Sequence, residues 1–372
     1  LRDLRDGERR GLIWRPDRAQ RFLDFLPALF TITDGPAAGR PFDPLPWMVF
    51  VGGSLTGWYT VDDRWRFRLA WIETGKGQAK SPFMAGLGLY GMGWDETPRA
   101  QVYSIGGDKS TANVLFQDAV AMCRAQVPGW DEGESLESVG EVVIRGELQN
   151  AWMIEHPGTS SFFKPLAYGE QQSGPRPKLV LGDEIHEFKT DSQIETWRRA
   201  IAKIAGSAMM VLGTNTPATA QLVGTKYSEM VQTVVRGDKK DDSIFGYIAR
   251  VDKADRATVF EDESIWVKAL PALGRTYPIA NIRAEVASAA LLPSTASSVK
   301  RLYFGIPIGA ADFWINEAVW AAALDDIDDE TIAALKGCPC WLSLDLSKKN
   351  DLTALTATWR DGAGVLWQKT WY

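Results

Sequence analysis

Lys80 and Ser81 close a glycine-bearing stretch, Glu73-Thr74-Gly75-Lys76-Gly77-Gln78-Ala79-Lys80-Ser81, that follows the apolar run Phe67-Arg68-Leu69-Ala70-Trp71-Ile72. Asp183 and Glu184 close a second apolar run, Pro177-Lys178-Leu179-Val180-Leu181-Gly182. A lysine and a hydroxyl behind a glycine-rich turn suit a polyphosphate. Backbone N–H groups and a helix N-terminus face the anion, the lysine supplies charge, and the serine reaches magnesium. Adjacent carboxylates at the carboxyl end of a buried strand suit the complementary half of such a site, with Asp183 on magnesium and Glu184 activating water. Each segment alone has a plainer reading, a solvated turn for Asp-Glu and an ordinary strand-to-helix turn for the loop. Their pairing favours a nucleotide site.

The loop departs from G-x-x-x-x-G-K-[ST]: Thr74 and Ala79 occupy the two glycine positions, while Gly75 and Gly77 lie inside it. Pro82 suits the first turn of a helix running to Tyr90. A third run, Ala208 to Leu212, ends in Gly213-Thr214-Asn215-Thr216-Pro217. Small hydroxyl and amide groups there can sense a γ-phosphate, and are equally ordinary in a turn. His186 follows the acidic pair without His-Glu-x-x-His spacing, so it is read as a buttress of the strand end.

In this order the segments resemble the large terminase subunit of tailed bacteriophages, an ATP-driven motor that packages DNA. The resemblance spans most of the chain. It rests on Gly39-Arg40-Pro41-Phe42-Asp43-Pro44-Leu45-Pro46-Trp47, on Arg66 to Ser81, on Pro98 to Ser104, and on Ser161 to Leu166. It continues with Asp183-Glu184-Ile185-His186, Leu342-Ser343-Leu344-Asp345-Leu346-Ser347 and Asp351-Leu352-Thr353-Ala354. It implies an α/β P-loop ATPase with a mostly parallel sheet flanked by helices, followed by the start of an RNase H-like nuclease domain. ATP and Mg2+ would be its cofactors, with Mg2+ or Mn2+ in the nuclease. Nucleotide would contact Thr74, Gly75, Lys76, Gly77, Gln78, Ala79, Lys80 and Ser81, with Ser81 and Asp183 on magnesium and Glu184 catalytic. Gly213, Thr214 and Asn215 would form the coupling segment, and Asp345 and Asp351 would hold nuclease metal.

The implied partners are double-stranded viral DNA, the small terminase subunit, the portal protein and further copies in a ring on the procapsid, in the host cytoplasm and without a membrane. Where relatives often carry a glutamine after Leu-Pro-Trp to read adenine, Met48 stands here, which leaves adenine recognition unassigned. Two rivals stay open: another P-loop nucleic-acid translocase or helicase, and a non-hydrolysing structural protein with a degenerate phosphate loop.

The elements needed to position these residues can be read from the pattern. Residues 1–40 form an N-terminal helical segment, 41–265 the ATPase core, 266–335 a helical, proline-interrupted lid or linker, and 336–372 the start of the nuclease domain. Arg2, Arg5, Arg9, Arg10, Arg15, Arg18 and Arg21 alternate with acids, as on a solvated helix face with i,i+4 pairs. The acidic cluster Asp325, Asp326, Asp328, Asp329 and Glu330 reads as a solvated linker. An arginine finger is expected from among Arg99, Arg124, Arg145 and Arg176. The 372 residues, 45% hydrophobic and 24% charged, suit a folded globular chain. With 41 Lys+Arg against 47 Asp+Glu, the net charge of −6 argues against a protein that coats nucleic acid, so any DNA contact must be local. No long apolar run or signal peptide occurs, and the three cysteines lack zinc-site spacing. The chain lacks an initial methionine and the later nuclease acids, so it reads as a fragment expected not to cut DNA by itself.

Overall fold

A computed structural model of the chain describes residues 2–147, 150–166, 174–307, 327–346 and 353–371. It divides into two units, residues 1–310 and 311–372.

In the first unit, α1 (Arg2–Asp6), β1 (Leu12–Trp14), α2 (Pro16–Leu29), α3 (Pro46–Gly57) and β2 (Trp58–Thr60) precede the main sheet. Then come β3 (Leu69–Glu73), α4 (Lys80–Leu89), β4 (Gln101–Ile105), α5 (Lys109–Arg124), β5 (Val143–Arg145), β6 (Met153–His156), β7 (Ser161–Leu166), β8 (Pro177–Gly182), α6 (Ser192–Ala202), β9 (Met209–Thr214), α7 (Leu222–Arg236) and β10 (Ile244–Ile248). Helices α8 (Ile279–Leu291) and α9 (Pro293–Phe304) complete the unit. The described strands form a sheet in the order β10-β3-β9-β8-β4-β7-β6-β5, parallel from β10 to β7 and antiparallel at the β7-β6-β5 edge.

Strands β3, β8 and β9 are buried at every position, which is why they read as continuous apolar runs rather than as alternation. Side chains nevertheless point alternately to two separate cores. Ala70, Ile72, Leu179, Leu181, Met209 and Val211 join Phe22, Trp47, Met48, Phe83 and Phe116 on one face. Trp71, Val180, Met210 and Leu212 join Tyr103, Trp197 and Tyr227 on the other. Fully burying a side chain such as Phe83 stabilises by about 1.5–3 kcal/mol, so α4 is held to the sheet by its apolar face. The parallel register aligns the carboxyl ends: Glu73 lies opposite Thr214, and Gly182 opposite both Leu212 and Ile105. The loop after β3, the acids after β8 and the polar turn after β9 therefore meet at one edge. A third core, built on Trp266, Leu270, Ile282 and Phe304, belongs to the 251–306 stretch that carries α8 and α9.

One expectation needs correction. Among the described residues, the ion pairs of the N-terminal arginines Arg10, Arg15 and Arg21 reach other segments rather than running i,i+4 along a helix face. Arg10 pairs with Asp3 and Asp242, Arg15 with Asp63 at 2.8 Å, and Arg21 with Glu96 at 2.6 Å. Asp242, Asp63 and Glu96 come from distant segments that the fold brings within reach of these arginines, and Asp3 lies seven residues before Arg10. Helix α3 is started by Pro46 and holds Trp47, Met48, Val51 and Leu55 in the core.

In the second unit the described residues form α10 (Asp329–Ala334), capped by Asp328, whose side chain accepts from the Thr331 N–H at 2.8 Å, and an antiparallel meander of β11 (Cys340–Asp345), β12 (Ala354–Arg360) and β13 (Leu366–Trp371). Every residue of β11 is exposed, and Asp345, its last, lies opposite Ala354. Asp325, Asp326 and Asp351 lie outside the described residues.

Candidate active site

The chain leaves β3 at Glu73 and turns back into α4 at Lys80. Ala79, at the second glycine position, has φ 57° and ψ 38°, the left-handed conformation that glycine adopts without penalty and alanine does not. The backbone thus takes the glycine-like course although the residue is not glycine. Gly75 is required by space: a Cβ there would lie 2.4 Å from the Tyr303 carbonyl. Helix α4 has no side-chain cap, so its first N–H groups, together with those of Gln78 and Ala79, have no intrahelical acceptor. They form a donor cradle at the start of a helix.

Lys80 is 7% exposed. Its Nζ donates to Asn215 Oδ1 at 2.7 Å and lies 3.4 Å from Thr74 Oγ1 and 3.5 Å from the Gly75 carbonyl. Burial lowers its pKa, while Asp183, Glu184 and Glu73 pull the other way from farther off. The Ser81 hydroxyl donates to the Asp183 carboxylate, whose other oxygen accepts the Glu184 N–H at 2.9 Å. Glu184 stands in a left-handed conformation at φ 50°, which turns its side chain away from the strand direction. Asn215 Nδ2 donates to Glu184 Oε2 at 3.3 Å. One amide therefore touches both the buried ammonium and the second carboxylate. Burial, then Asp183, raises the pKa of Glu184.

His186 receives more contacts than a plain buttress needs. Its Nδ1 lies 3.1 Å from Thr214 Oγ1 and 3.2 Å from Glu184 Oε2, and its Nε2 lies 3.1 Å from Glu187 Oε1. Burial and the charges of Arg301 and Lys80 lower its pKa to about 4. The neutral ring holds the strand end and Glu184 in fixed relation.

Ser81 and Asp183 offer two hard oxygens in contact, beside the donor cradle. Such a pair fits a small cation like Mg2+, which takes one or two protein oxygens and completes its shell from phosphate and water. At Asp345 the described residues offer no comparable set, and no group of three or more His, Cys, Asp or Glu side chains among them is placed to hold a metal.

Residues that the sequence pattern did not single out also matter. Glu73 is fully buried and accepts from Arg250 Nε at 2.8 Å, Thr216 Oγ1 at 2.8 Å, Ser228 Oγ at 2.7 Å and Trp71 Nε1 at 3.0 Å. It pins the end of β3 to the turn after β9. A charge ending an apolar strand was the available clue, as it was for Asp183. The loop is also strapped from the 251–306 stretch: Gly75 N–H donates to the Ala269 carbonyl, Lys76 N–H to Leu302, and Ala272 N–H to Gln78 Oε1, at 3.1, 2.7 and 2.7 Å.

A family model of the terminase large subunit ATPase domain matches residues 46–232, and one of the terminase large subunit endonuclease domain matches residues 238–369. The chain belongs to the terminase large subunit family. The crystal structure of the HK97 bacteriophage large terminase superposes with a TM-score of 0.64 at 18% identity, covering 95% of this chain and 68% of that one. That likeness shows the fold, and the expected class is borne out: an α/β P-loop ATPase with a mostly parallel sheet flanked by helices, together with an RNase H-like nuclease part. Protein YmfN of Escherichia coli (strain K12) is 25% identical over 187 residues, 50% of this chain and 39% of that protein. The chain thus spans well under half the length of this curated relative. The two terminase domain families use ATP and divalent metals. Among the described residues, no helix is long and apolar enough to cross a membrane.

Proposed function

We propose that this terminase chain hydrolyses ATP to move viral double-stranded DNA into a procapsid, in the host cytoplasm. It would act as one copy of a ring, with the small terminase subunit and portal protein as partners. The single observation that carries the reading is Asn215, which bonds to both Lys80 and Glu184. A group that senses the γ-phosphate lysine and the water-activating carboxylate together can report on hydrolysis. The nuclease part would serve to cut concatemeric DNA with Mg2+ or Mn2+, using Asp345 and Asp351. The proposed division is an N-terminal helical segment 1–40, a core 41–265, a lid 266–335 and a nuclease part 336–372; the meander beginning at Cys340 fits the last of these.

When bound, Mg2+ would be held by Ser81 and Asp183 and would supply positive charge against the charge that develops on the phosphates. The chain's own residues do the rest. The N–H cradle from Gln78 to Ser81 orients the phosphates, Lys80 exchanges Asn215 Oδ1 for a phosphate oxygen, and Ser81 and Asp183 hold the cation. As the water oxygen bonds to the γ-phosphorus and the bond to the β–γ bridging oxygen breaks, ADP leaves and Glu184 receives the water's proton at a carboxylate oxygen; its raised pKa brings it nearer the range in which such a base works at neutral pH. Of the finger candidates, Arg124 pairs with Glu137 and Arg145 with Glu155. Arg99 and Arg176 precede β4 and β8, at the amino ends of the strands, so either would serve only a neighbouring copy's site.

The test is magnesium-dependent ATP hydrolysis at several protein concentrations, with and without DNA, beside Glu184→Ala and Lys80→Ala. Hydrolysis lost in both variants, with specific activity rising with concentration, is the expected result. Background activity in all three supports the structural, non-hydrolysing alternative.

A further inference from the structure

We infer that the adenine base is received by the strap, in a cavity between the phosphate loop and helices α8 and α9, where Asn281 and Glu285 select it. The inference rests on the ATPase reading and extends it to the base. Met48 is apolar and 1% exposed within the core, so this side chain offers a base no hydrogen bond.

The cavity measures about 240 Å³ and has Lys76 and Gly77 on one wall. Whole-ligand pockets are commonly roughly 300–1,000 Å³; this one suits a planar heterocycle whose phosphates lie outside it, on the N–H cradle. The opposite wall is the strap. Tyr277, Asn281 and Glu285 follow one another at intervals of four, and from Asn281 onward this spacing keeps them on one side of α8. Tyr303 comes from α9. The Tyr277 hydroxyl lies 3.3 Å from Gln78 Nε2 and 3.4 Å from the Lys76 carbonyl. Its ring lies so close to Gly77, which has φ 77°, that a Cβ there would be 2.5 Å away. Tyr277 is therefore part of the loop's support, and Tyr303 offers the ring free to stack. Tyr303 and Glu285 line the same cavity, and burial, then the Glu285 carboxylate, raises the Tyr303 pKa.

Neighbouring groups are satisfied: Arg283 pairs with Glu263 at 2.7 Å. Among the described residues, the Asn281 amide, the Glu285 carboxylate and the Tyr303 hydroxyl have no hydrogen-bond partner, and all three line this one cavity. Their chemistry is specific. Adenine presents an amine donor beside a ring-nitrogen acceptor, which an asparagine amide matches with its own acceptor and donor. A carboxylate accepts only, so Glu285 welcomes the adenine amine and opposes the O6 acceptor of guanine.

The experiment is calorimetric titration of the full chain with MgATP, MgGTP and magnesium tripolyphosphate, for wild type, Tyr303→Ala, Asn281→Ala and Glu285→Gln. Tyr303→Ala is expected to weaken MgATP by about tenfold through lost stacking. Asn281→Ala should cost several-fold, and Glu285→Gln, which can donate to O6, should lower the ATP over GTP preference by about fivefold. Tripolyphosphate affinity should stay unchanged in all three, which also shows that the loop is intact. MgATP affinity equal to wild type in the three variants, with tripolyphosphate still bound, overturns the base site and leaves the phosphate loop standing. A wild-type chain that binds neither MgATP nor tripolyphosphate overturns both.

Discussion

Lys80 and Lys178 lie in the same α/β layer, 7% and 4% exposed, and burial lowers the pKa of both. Lys178, at the amino end of β8, forms an ion pair with Asp95, lies 3.0 Å from Thr97 Oγ1, and sits 3.8 Å above the Trp65 ring. Lys80, at the carboxyl edge, touches only neutral oxygens from Asn215, Thr74 and Gly75. A buried ammonium with a carboxylate beside it is part of the fold. One held by neutral groups has its counter-charge still to come, and a phosphate is the charge that the adjacent N–H cradle admits. Cavity size alone points the wrong way here: the space around Lys178 is about 1710 Å³ and that beside the loop about 240 Å³.

The difference can be broken most severely at the carboxylate that serves the Lys80 side. Glu184→Gln should lower the ATP turnover rate by roughly 10²–10⁴-fold while MgATP still binds, read by single-turnover hydrolysis beside equilibrium binding. At the other lysine the damage should be to stability. Asp95→Asn strands a buried ammonium and should cost about 3–5 kcal/mol in chemical denaturation, with MgATP affinity within a few-fold of wild type. An effect on affinity as large as that on stability would mean the two sites are not separate.

Asn215→Asp makes one site resemble the other, by giving Lys80 a carboxylate of its own. MgATP affinity should fall by about tenfold or more, a charged hydrogen bond of roughly 1.5–3 kcal/mol having to be given up on binding. Unchanged affinity in titrations would show that the neutral amide is not what keeps Lys80 available. The smallest effect belongs to Ala79→Gly. Relief of the left-handed strain should raise stability by about 0.5–1 kcal/mol or leave it level, and MgATP binding should persist. A clear loss in thermal unfolding would show that the alanine methyl packs usefully.

Much of this contrast could be read in the sequence on one side only. Lys80, Ser81, Asp183 and Glu184 were recognisable because apolar runs ending in charge mark the carboxyl ends of parallel strands, where sites form. The structure brings all four together with Asn215. What escaped were relations set by register. That Glu73 lies opposite Thr214 follows from strand pairing, and nothing local to either residue announces it. Gln78 looked like one more loop position, yet its side chain accepts from Ala272, far along the chain. The Lys178–Asp95 pair was invisible for the same reason. For the N-terminal arginines the local i,i+4 rule was applied where long-range partners won. Asp345 ends β11 as its place in the resemblance implied, but Asp351 lies outside the described residues, so its role stays with the resemblance.

The most direct measurement is the shift in unfolding temperature on adding MgATP, compared between Lys80→Ala and Lys178→Met. Ligand that binds only the folded chain stabilises it by RT ln(1 + [L]/Kd), or about 2.7 kcal/mol at a hundredfold excess over Kd. Wild type and Lys178→Met should both show the shift, the latter from a lower starting temperature, and Lys80→Ala should show none. A full shift in Lys80→Ala, or its loss in Lys178→Met alone, would contradict the assignment of Lys80 as the lysine that awaits phosphate.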